Sequence, residues 1–227
     1  MKVTWLGQGG LYLESDGMQV IVDPYLSNYC EKVNPQSYRR CPIDSKYLEI
    51  TPDVLIFTHD HIDHYDPETA PVYLAKTDKK ITVLGPTSAW KLARQNGNGH
   101  NYVEFNTYTQ WTQGGLRFYA VKAAHSDPYA IGVVVEELRT GKRYYITGDT
   151  LYNTDVIISL PGNIYAVFLP INGAGNNMNA EDAARFAADI RAKYAVPVHF
   201  GMLDEIDPEI FKCENRVIPT IYQEINI

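Results

Sequence analysis

The sequence predicts an α+β protein with more than one β-sheet, on three observations. Apolar runs typical of strands occur in both halves of the chain, helix-like segments interrupt them, and the two do not alternate regularly as they would in a βαβ protein. The chain has 227 residues, of which 45% are hydrophobic and 21% charged, so it can bury a large core without disulfides. Neither a linker-like composition nor an internal repeat divides it, and we expect a single domain over residues 1–227.

The predicted strands fall into two kinds. Those in the first quarter of the chain are short and separated by glycines, whereas the later ones are continuous apolar runs typical of buried strands. A turn at Thr140-Gly141 is expected to join two of them as a hairpin. The predicted strands are Lys2–Leu6, Leu11–Glu14, Gln19–Val22, Val54–Phe57, Ile81–Leu84, Leu116–Ala123, Ile131–Leu138, Arg143–Thr147, Tyr165–Leu169 and Tyr194–Val198.

Three helices are predicted where a capping residue precedes helix-forming sequence. An aspartate followed by proline starts the first, a threonine or serine starts the second, and an asparagine in a weak capping box starts the third. A glycine is expected to close the second helix in a left-handed conformation. The predicted helices run from Asp66 to Lys76, from Thr87 or Ser88 to Arg94 with Gly97 at its end, and from Asn179 to Lys193.

One long segment, Pro24–Ile50, contains three prolines and shows little periodicity. A structureless loop of this length is uncommon inside a compact domain and is usually functional, so we interpret it as a lid or substrate loop. Arg39 and Arg40 form an adjacent basic pair within it. They could hold a phosphate or carboxylate in a bidentate grip, and a solvated surface pair is the alternative.

Charge and cysteine content narrow the function classes. The formal net charge is −7, which argues against a nucleic-acid partner or a membrane surface, because both require a basic face. Cys30, Cys41 and Cys213 lack C-x-x-C spacing, so we expect reduced thiols rather than disulfides or a zinc ribbon. No apolar run approaches the roughly 18 residues of a membrane span, and no secretory signal is recognisable. We expect a cytoplasmic protein.

The strongest functional signal is the run Thr58–Asp66, which holds three histidines and three aspartates. A solvated polar turn is the alternative, but such a density of histidine is costly to assemble without a ligand. His59 and His61 are two residues apart after a predicted strand, so their side chains point the same way. Asp63 and His64 follow where the chain turns toward a helix, and they can therefore serve a second point in space.

Three more candidate ligands, His125, Asp149 and His199, each follow a predicted strand, so loops from one sheet edge could bring them to the cluster. His100 has no such placement, and we expect it to be a loop residue. Imidazole and carboxylate groups without thiolates suit zinc, manganese or iron(II). Seven groups exceed the needs of one ion and divide naturally into two sites with one shared carboxylate. The seven are His59, His61, Asp63, His64, His125, Asp149 and His199.

The H-x-H-x-D-H run, the later histidines and the Gly-Asp pair together resemble the metallo-β-lactamase superfamily. Within it, the segments Trp5–Gly10, Val22–Ser27 and Ala124–Ser126 are most similar to the ascorbate-phosphate-lactonase-like group of metal-dependent hydrolases. The resemblance implies an αββα sandwich of two mixed β-sheets flanked by helices, with the metals at one edge. By position it implies a first ion on His59, His61 and His125 and a second on Asp63, His64 and His199, with Asp149 bridging.

We therefore expect two divalent metal ions as cofactors, with zinc favoured and manganese as the alternative. A hydroxide bridging them would hydrolyse a small ester, lactone or phosphate-containing metabolite, with Asp63 and Asp149 as catalytic carboxylates. A metal-dependent phosphodiesterase or ribonuclease of the same superfamily is one alternative, and the acidic charge disfavours it. A non-enzymatic metal-binding protein is the other. The expected partner is a small-molecule substrate, and a homo-oligomer stays open.

Several further residues are candidates for supporting roles. Asp23 and Asp60 are interpreted as carboxylates that orient ligating imidazoles, although Asp23 is equally well explained as a turn residue before proline. The predicted strand Tyr165–Leu169 leads into an asparagine-rich loop, which should reach the same sheet edge. Its asparagines could bind substrate oxygens, or they permit positive φ angles. The candidate substrate residues are Asn172, Asn176 and Asn177, together with Tyr25 near the motif residues.

Overall fold

The computed structural model describes residues 1–97 and 99–227, and it contains two six-stranded β-sheets. The first sheet comes from the first half of the chain, and its strands lie side by side in chain order. They are β1 (Lys2–Gly7), β2 (Gly10–Ser15), β3 (Met18–Val22), β4 (Val54–Ile56), β5 (Thr82–Gly85) and β6 (Asn101–Glu104). The second sheet comes from the second half, again in chain order. Its strands are β7 (Gln110–Gln113), β8 (Leu116–Lys122), β9 (Ile131–Glu137), β10 (Lys142–Ile146), β11 (Ile164–Pro170) and β12 (Tyr194–Val198).

Both sheets are mixed. In the first, β1 to β3 pair antiparallel and β3 to β6 pair parallel. In the second, β7 to β10 pair antiparallel and β10 to β12 pair parallel. The register aligns the carboxyl ends of the parallel strands, since Val22 lies beside Ile56 and Ile56 beside Leu84. Residues that follow these strands are therefore delivered to one edge of the sheet.

Alternation along the strands of the first sheet places apolar side chains on both of its faces. Val20 and Val22 of β3 belong to a core shared with the second sheet, whereas Ile21 between them belongs to a smaller core on the outer face. Helices cover the outer faces of both sheets, as Phe186 of one helix does beside Tyr145 of β10. The helices are α1 (Tyr29–Val33), α2 (Lys46–Glu49), α3 (Thr69–Leu74), α4 (Thr87–Asn96), α5 (Thr154–Ile158) and α6 (Ala180–Asp189).

The predicted fold class, two mixed sheets flanked by helices, is confirmed. The ten predicted strands are all present, with ends that differ by at most one residue, and four residues, 138–141, connect the predicted hairpin. Within the described ranges, no helix has the length and apolarity needed to cross a membrane.

Some predicted helix ends were wrong, for local reasons. The first helix begins at Thr69 instead of Asp66, because the Asp66 carboxylate accepts hydrogen bonds from the Glu68 backbone and the Thr69 hydroxyl and forms a turn before the helix. The last helix ends at Asp189 instead of Lys193. Gly97 follows α4 but is extended, with φ −174°, so it does not form the expected left-handed cap.

Two strands, β6 and β7, and three α-helices, α1, α2 and α5, were not predicted. Strands β6 and β7 lie at sheet edges and expose much of their side-chain surface, so they lack an apolar run. Helix α5 has only five residues, and the Asn153 side chain caps it by accepting a hydrogen bond from the Asp155 backbone. The segment Pro24–Ile50 is not structureless either, because it contains α1 and α2.

Candidate metal centre

Four strands end at the candidate site, and the residue that follows each of them, or comes soon after, is a potential ligand. His59 lies just beyond β4, His125 beyond β8, Asp149 beyond β10 and His199 beyond β12. Both sheets contribute: β4 belongs to the first sheet, and the run after it also supplies His61, Asp63 and His64, whereas β8, β10 and β12 belong to the second sheet. The paired sheets thus bring ligands from distant parts of the chain to one end of the sandwich.

We call His59, His61 and His125 the first cluster. One ligand atom from each of them and one from Asp149 all lie within 4.8 Å of one another. The His61 Nδ1 atom is 3.0 Å from His125 Nε2, and His125 Nε2 is 4.0 Å from Asp149 Oδ2. In the described part of the chain, the buried His59 Nε2 atom has no hydrogen-bond partner. A buried polar atom left without a partner is costly, and a metal ion would satisfy it.

We call Asp63, His64 and His199 the second cluster. The His199 Nε2 atom lies 3.1 Å from Asp63 Oδ2, and the ligand atoms of all three residues lie within 4.8 Å of one another. Asp149 reaches this cluster too, since its Oδ1 is 3.1 Å from His64 Nε2 and its Oδ2 is 3.4 Å from His199 Nε2. Asp149 is therefore the carboxylate that stands between the clusters.

The donor set fits a divalent metal centre. It consists of five imidazoles and two carboxylates, and the described part of the chain brings no cysteine to it. Neutral imidazole and carboxylate ligands suit zinc, manganese and iron(II). The structure brings all seven predicted ligands together at one end of the sandwich.

Asp23 lies behind the ligands and is fully buried. Its Oδ2 atom is 2.8 Å from His64 Nδ1, and its Oδ1 accepts a 2.8 Å hydrogen bond from the Thr58 backbone. The Thr58 hydroxyl, which also contacts Asp23, is 3.0 Å from His59 Nδ1. Asp23 thus fixes the ring of His64 directly and that of His59 through Thr58, leaving the Nε2 atoms of both free for a metal.

Asp60, the other carboxylate predicted to orient an imidazole, is placed differently. Its carboxyl group faces that of Asp127. Burial and the neighbouring charge of Asp127 raise the pKa of Asp60, while His61 lowers it. Asp127 in turn accepts hydrogen bonds from the Ser88 hydroxyl and the Tyr129 backbone, so this pair connects the loops after β4 and β8.

Electrostatics differ between the clusters. Burial lowers the pKa of both His59 and His125 in the first cluster. In the second cluster burial also acts to lower the pKa of the histidines, but carboxylates outweigh it. Asp149 and its neighbours raise the pKa of His64 well above its usual value and that of His199 to about 10. A metal ion that binds at the second cluster would therefore have to compete with protons.

A cavity of about 400 Å³ opens over both clusters. The predicted residues Asn172 and Asn176 line it, and so does Asn177. Asn177 is buried, and its Nδ2 donates a 2.8 Å hydrogen bond to Asp149 Oδ2. The asparagine-rich loop therefore reaches the site as expected, and the Asn177 side chain holds the carboxylate of Asp149.

The structure does not bring Tyr25, Arg39 and Arg40 to this cavity. Tyr25 is fully buried, and its hydroxyl accepts a hydrogen bond from the Cys30 backbone. The Arg39 guanidinium donates to the carbonyls of Tyr25 and Cys41 and to a tyrosine hydroxyl, at 2.6 to 3.0 Å. The Arg40 guanidinium stacks 4.3 Å from the ring of Tyr38. Both arginines are thus engaged with protein groups at a separate cavity.

Reasoning from ligand types missed two site residues, Gln8 and Thr58. Gln8 lies in the glycine-rich motif after β1, and its Nε2 is 3.0 Å from Asp63 Oδ2. Thr58 directly precedes His59, and that adjacency was its only signal in the sequence. His100 is no part of the site, because its ring nitrogens contact the Ile81 backbone N–H and the Leu74 carbonyl.

Comparisons with known proteins identify the family of this chain. Residues 19–200 match the sequence model of the beta-lactamase superfamily domain. A UPF0173 metal-dependent hydrolase of Staphylococcus aureus (strain MRSA252) is 30% identical over 230 residues, covering 93% of this chain and 92% of that protein.

Solved structures agree on the fold. Igni18, a metallo hydrolase of the archaeon Ignicoccus hospitalis, matches with a TM-score of 0.77 at 20% identity, over 98% of this chain and 96% of that one. An isothiocyanate hydrolase from Delia radicum gut bacteria matches with a TM-score of 0.76 at 18% identity, over 100% and 99%. Because the superfamily match spans most of the chain and the Staphylococcus relative aligns over nearly all of it, the protein belongs to the beta-lactamase superfamily, in the group of UPF0173 metal-dependent hydrolases.

Proposed function

We propose that this protein is a dinuclear metal hydrolase that acts on a small ester or lactone. The observation that carries the proposal is the position of Asp149, whose two oxygens lie 3.1 Å from His64 and 4.0 Å from His125. A carboxylate between two ligand clusters is the arrangement expected of a bridging ligand. Zinc is the favoured metal and manganese the alternative. The proposed location of the protein is cytoplasmic.

Different residues of the chain have different roles at the proposed metal centre. Two bound divalent ions would supply an activated water nucleophile near neutral pH and stabilise negative charge on oxygen. Asp149 would hold both ions and Asp63 the ion of the second cluster, and Asn177 would keep the Asp149 carboxylate from rotating. Asn172 and Asn176, on the cavity wall, can donate amide hydrogen bonds to a substrate carbonyl.

The lining of the cavity favours an ester or lactone over a phosphate-containing substrate. Among the described residues that line it, none is a lysine or arginine. The cluster carboxylates, half-buried Asp63 and buried Asp149, and the buried Asp23 carry three negative charges against the four positive charges of two divalent ions. The site thus holds little excess positive charge for a phosphate group, whereas polar amides suit a neutral carbonyl.

The test is metal analysis followed by a substrate panel. Purified protein is loaded with zinc or manganese, its bound metal is counted, and hydrolysis of matched lactones, esters, phosphomonoesters and phosphodiesters is measured. Two ions per chain with lactone or ester turnover is the expected result. One ion per chain would overturn the dinuclear proposal, preferred phosphodiester cleavage would favour the phosphodiesterase alternative, and full loading without turnover of any class would favour a non-enzymatic metal-binding protein.

A further inference from the structure

Gln8 is a buried, uncharged side chain in contact with charged metal ligands. Its Nε2 lies 3.0 Å from Asp63 Oδ2 and 3.2 Å from each ring nitrogen of His199. An ionised carboxylate only accepts hydrogen bonds, so the amide N–H points to Asp63. The other amide atom, Oε1, is buried and has no hydrogen-bond partner in the described part of the chain. The side chain thus keeps its contact with Asp63 although one of its own acceptors stays unsatisfied.

The backbone at Gln8 is also committed to this cluster. Its φ of 48° lies in the left-handed region, which non-glycine residues seldom adopt. Its carbonyl accepts hydrogen bonds of 2.9 Å from both the Trp5 indole and the His199 backbone, and His199 itself has a φ of 57°. Strained residues persist only where their surroundings hold them, and they are concentrated at functional sites. Gln8 therefore holds His199 by its main chain and Asp63 by its side chain.

The next residue, Gly9, completes the contact with the second cluster. A Cβ atom at Gly9 would lie 2.6 Å from Cε1 of His64, so the imidazole ring packs directly on the glycine. Gln8 and Gly9 together touch every member of the second cluster. Within the described part of the chain, Gln8 makes no hydrogen bond to His59, His61 or His125 of the first cluster.

We propose that Gln8 is a positioning residue that sets the metal affinity of the second cluster and not that of the first. The proposal rests on the proposed dinuclear function. Its amide N–H fixes the rotation of the Asp63 carboxylate, and its carbonyl fixes the backbone from which the His199 ring projects. Residues that orient a ligand in this way typically change metal affinity by about 10- to 100-fold.

The experiment counts zinc retained by the full-length, zinc-loaded protein against rising concentrations of a chelator. His199→Ala and His125→Ala identify which release step belongs to which cluster. Gln8→Met removes the N–H donor at nearly constant size. Gln8→Asn keeps an amide that is one methylene too short, and asparagine tolerates positive φ, so this variant decides the question if the first does not fold. Gln19→Met, which removes an amide bonded to the Tyr12 hydroxyl, is the matched control.

Both Gln8 variants should weaken the second-cluster step by about 10- to 100-fold and leave the first-cluster step and thermal stability without metal unchanged. In an Asp63→Asn background, Gln8→Met should weaken that step little further, because its acceptor is already altered. Unchanged release, or equal weakening of both steps in folded variants, would overturn the proposal. A wild-type protein that binds a single zinc would overturn the dinuclear function itself, and this inference with it.

Discussion

The two ligand clusters lie side by side yet are built in different ways. The first cluster consists of three imidazoles, two of them from one short run, and burial keeps the pKa values of His59 and His125 low. The second cluster draws His199 from the far end of the chain and contains a carboxylate, Asp63. Its imidazoles lie among carboxylates that raise their pKa values. One edge of the sandwich therefore brings together two ligand clusters of different charge.

The difference extends to the groups that hold each cluster in place. Behind the second cluster stand buried Asp23 and Gln8, and both have positive φ angles. The first cluster has weaker supports. The Thr58 hydroxyl lies 3.0 Å from His59 Nδ1, and the Asn176 carbonyl oxygen lies 3.3 Å from His125 Nδ1. We infer that the second position is the more dependent on precise orientation and on pH.

The largest effect is expected for Asp149, which both clusters share. Asp149→Asn should lower zinc retention at both positions and reduce hydrolysis by more than about 100-fold, because even residues that merely orient a ligand cost up to that much. Zinc content and turnover of the preferred substrate measure the effect. Asp189→Asn, at an exposed carboxylate bonded to the Tyr152 hydroxyl, is the control. A variant with both ions and normal turnover would show that the clusters do not share this carboxylate.

Replacement of Asp23 is expected to affect the two clusters to different extents. Asp23→Asn removes the charge that faces His64 Nδ1 at 2.8 Å, so zinc at the second cluster should be held about 10- to 100-fold more weakly. The first cluster should change less, because Asp23 reaches His59 only through Thr58. The same chelator competition measures both. If the two release steps weaken equally, the difference between the clusters that we infer is wrong.

The pH dependence of zinc binding should also differ. In the metal-free protein His199, with its pKa raised to about 10, is protonated at neutral pH, and zinc must displace that proton. Affinity at the second cluster should therefore fall as pH falls below 10, by about tenfold per pH unit for each proton released. His59 and His125, with lowered pKa values, are already neutral at pH 7, so affinity at the first cluster should stay nearly constant above it. Parallel slopes for the two release steps would contradict this account.

Strands and candidate ligands could be predicted where the sequence carries a local signal for them. Buried strands such as β4 and β12 are apolar runs, and the histidines and aspartates that follow β4, β8, β10 and β12 are the seven predicted ligands. Edge strands such as β6 were missed because half-exposed strands need no apolar run. Gln8 and Asn177 were not assigned as supports of the ligands because an amide has no characteristic spacing and acquires its role only when distant segments meet.

In the segment Pro24–Ile50, too, the local sequence did not indicate which groups a side chain contacts. Its length and its two adjacent arginines suggested a lid that grips an anion, yet neither feature reports what a guanidinium contacts. In the structure Arg39 satisfies the carbonyls of Tyr25 and Cys41 within the segment. An arginine that supplies hydrogen bonds to such partly buried acceptors stabilises the fold, whatever substrate the cavity receives.

The smallest effect on either cluster is therefore expected for these arginines. Arg39→Ala should lower the free energy of unfolding by about 1–3 kcal/mol, because it leaves two backbone carbonyls and the Tyr222 hydroxyl without their donor. Arg40→Ala should cost less, since its carboxylate partner Glu205 is largely exposed and 3.6 Å away. Zinc retention and the ratio of neutral to anionic substrate turnover should not change in either variant. Denaturant unfolding measures the loss of stability, and the substrate panel measures the ratio of neutral to anionic turnover. Selective loss of turnover of anionic substrates would show that the arginines contribute to the site.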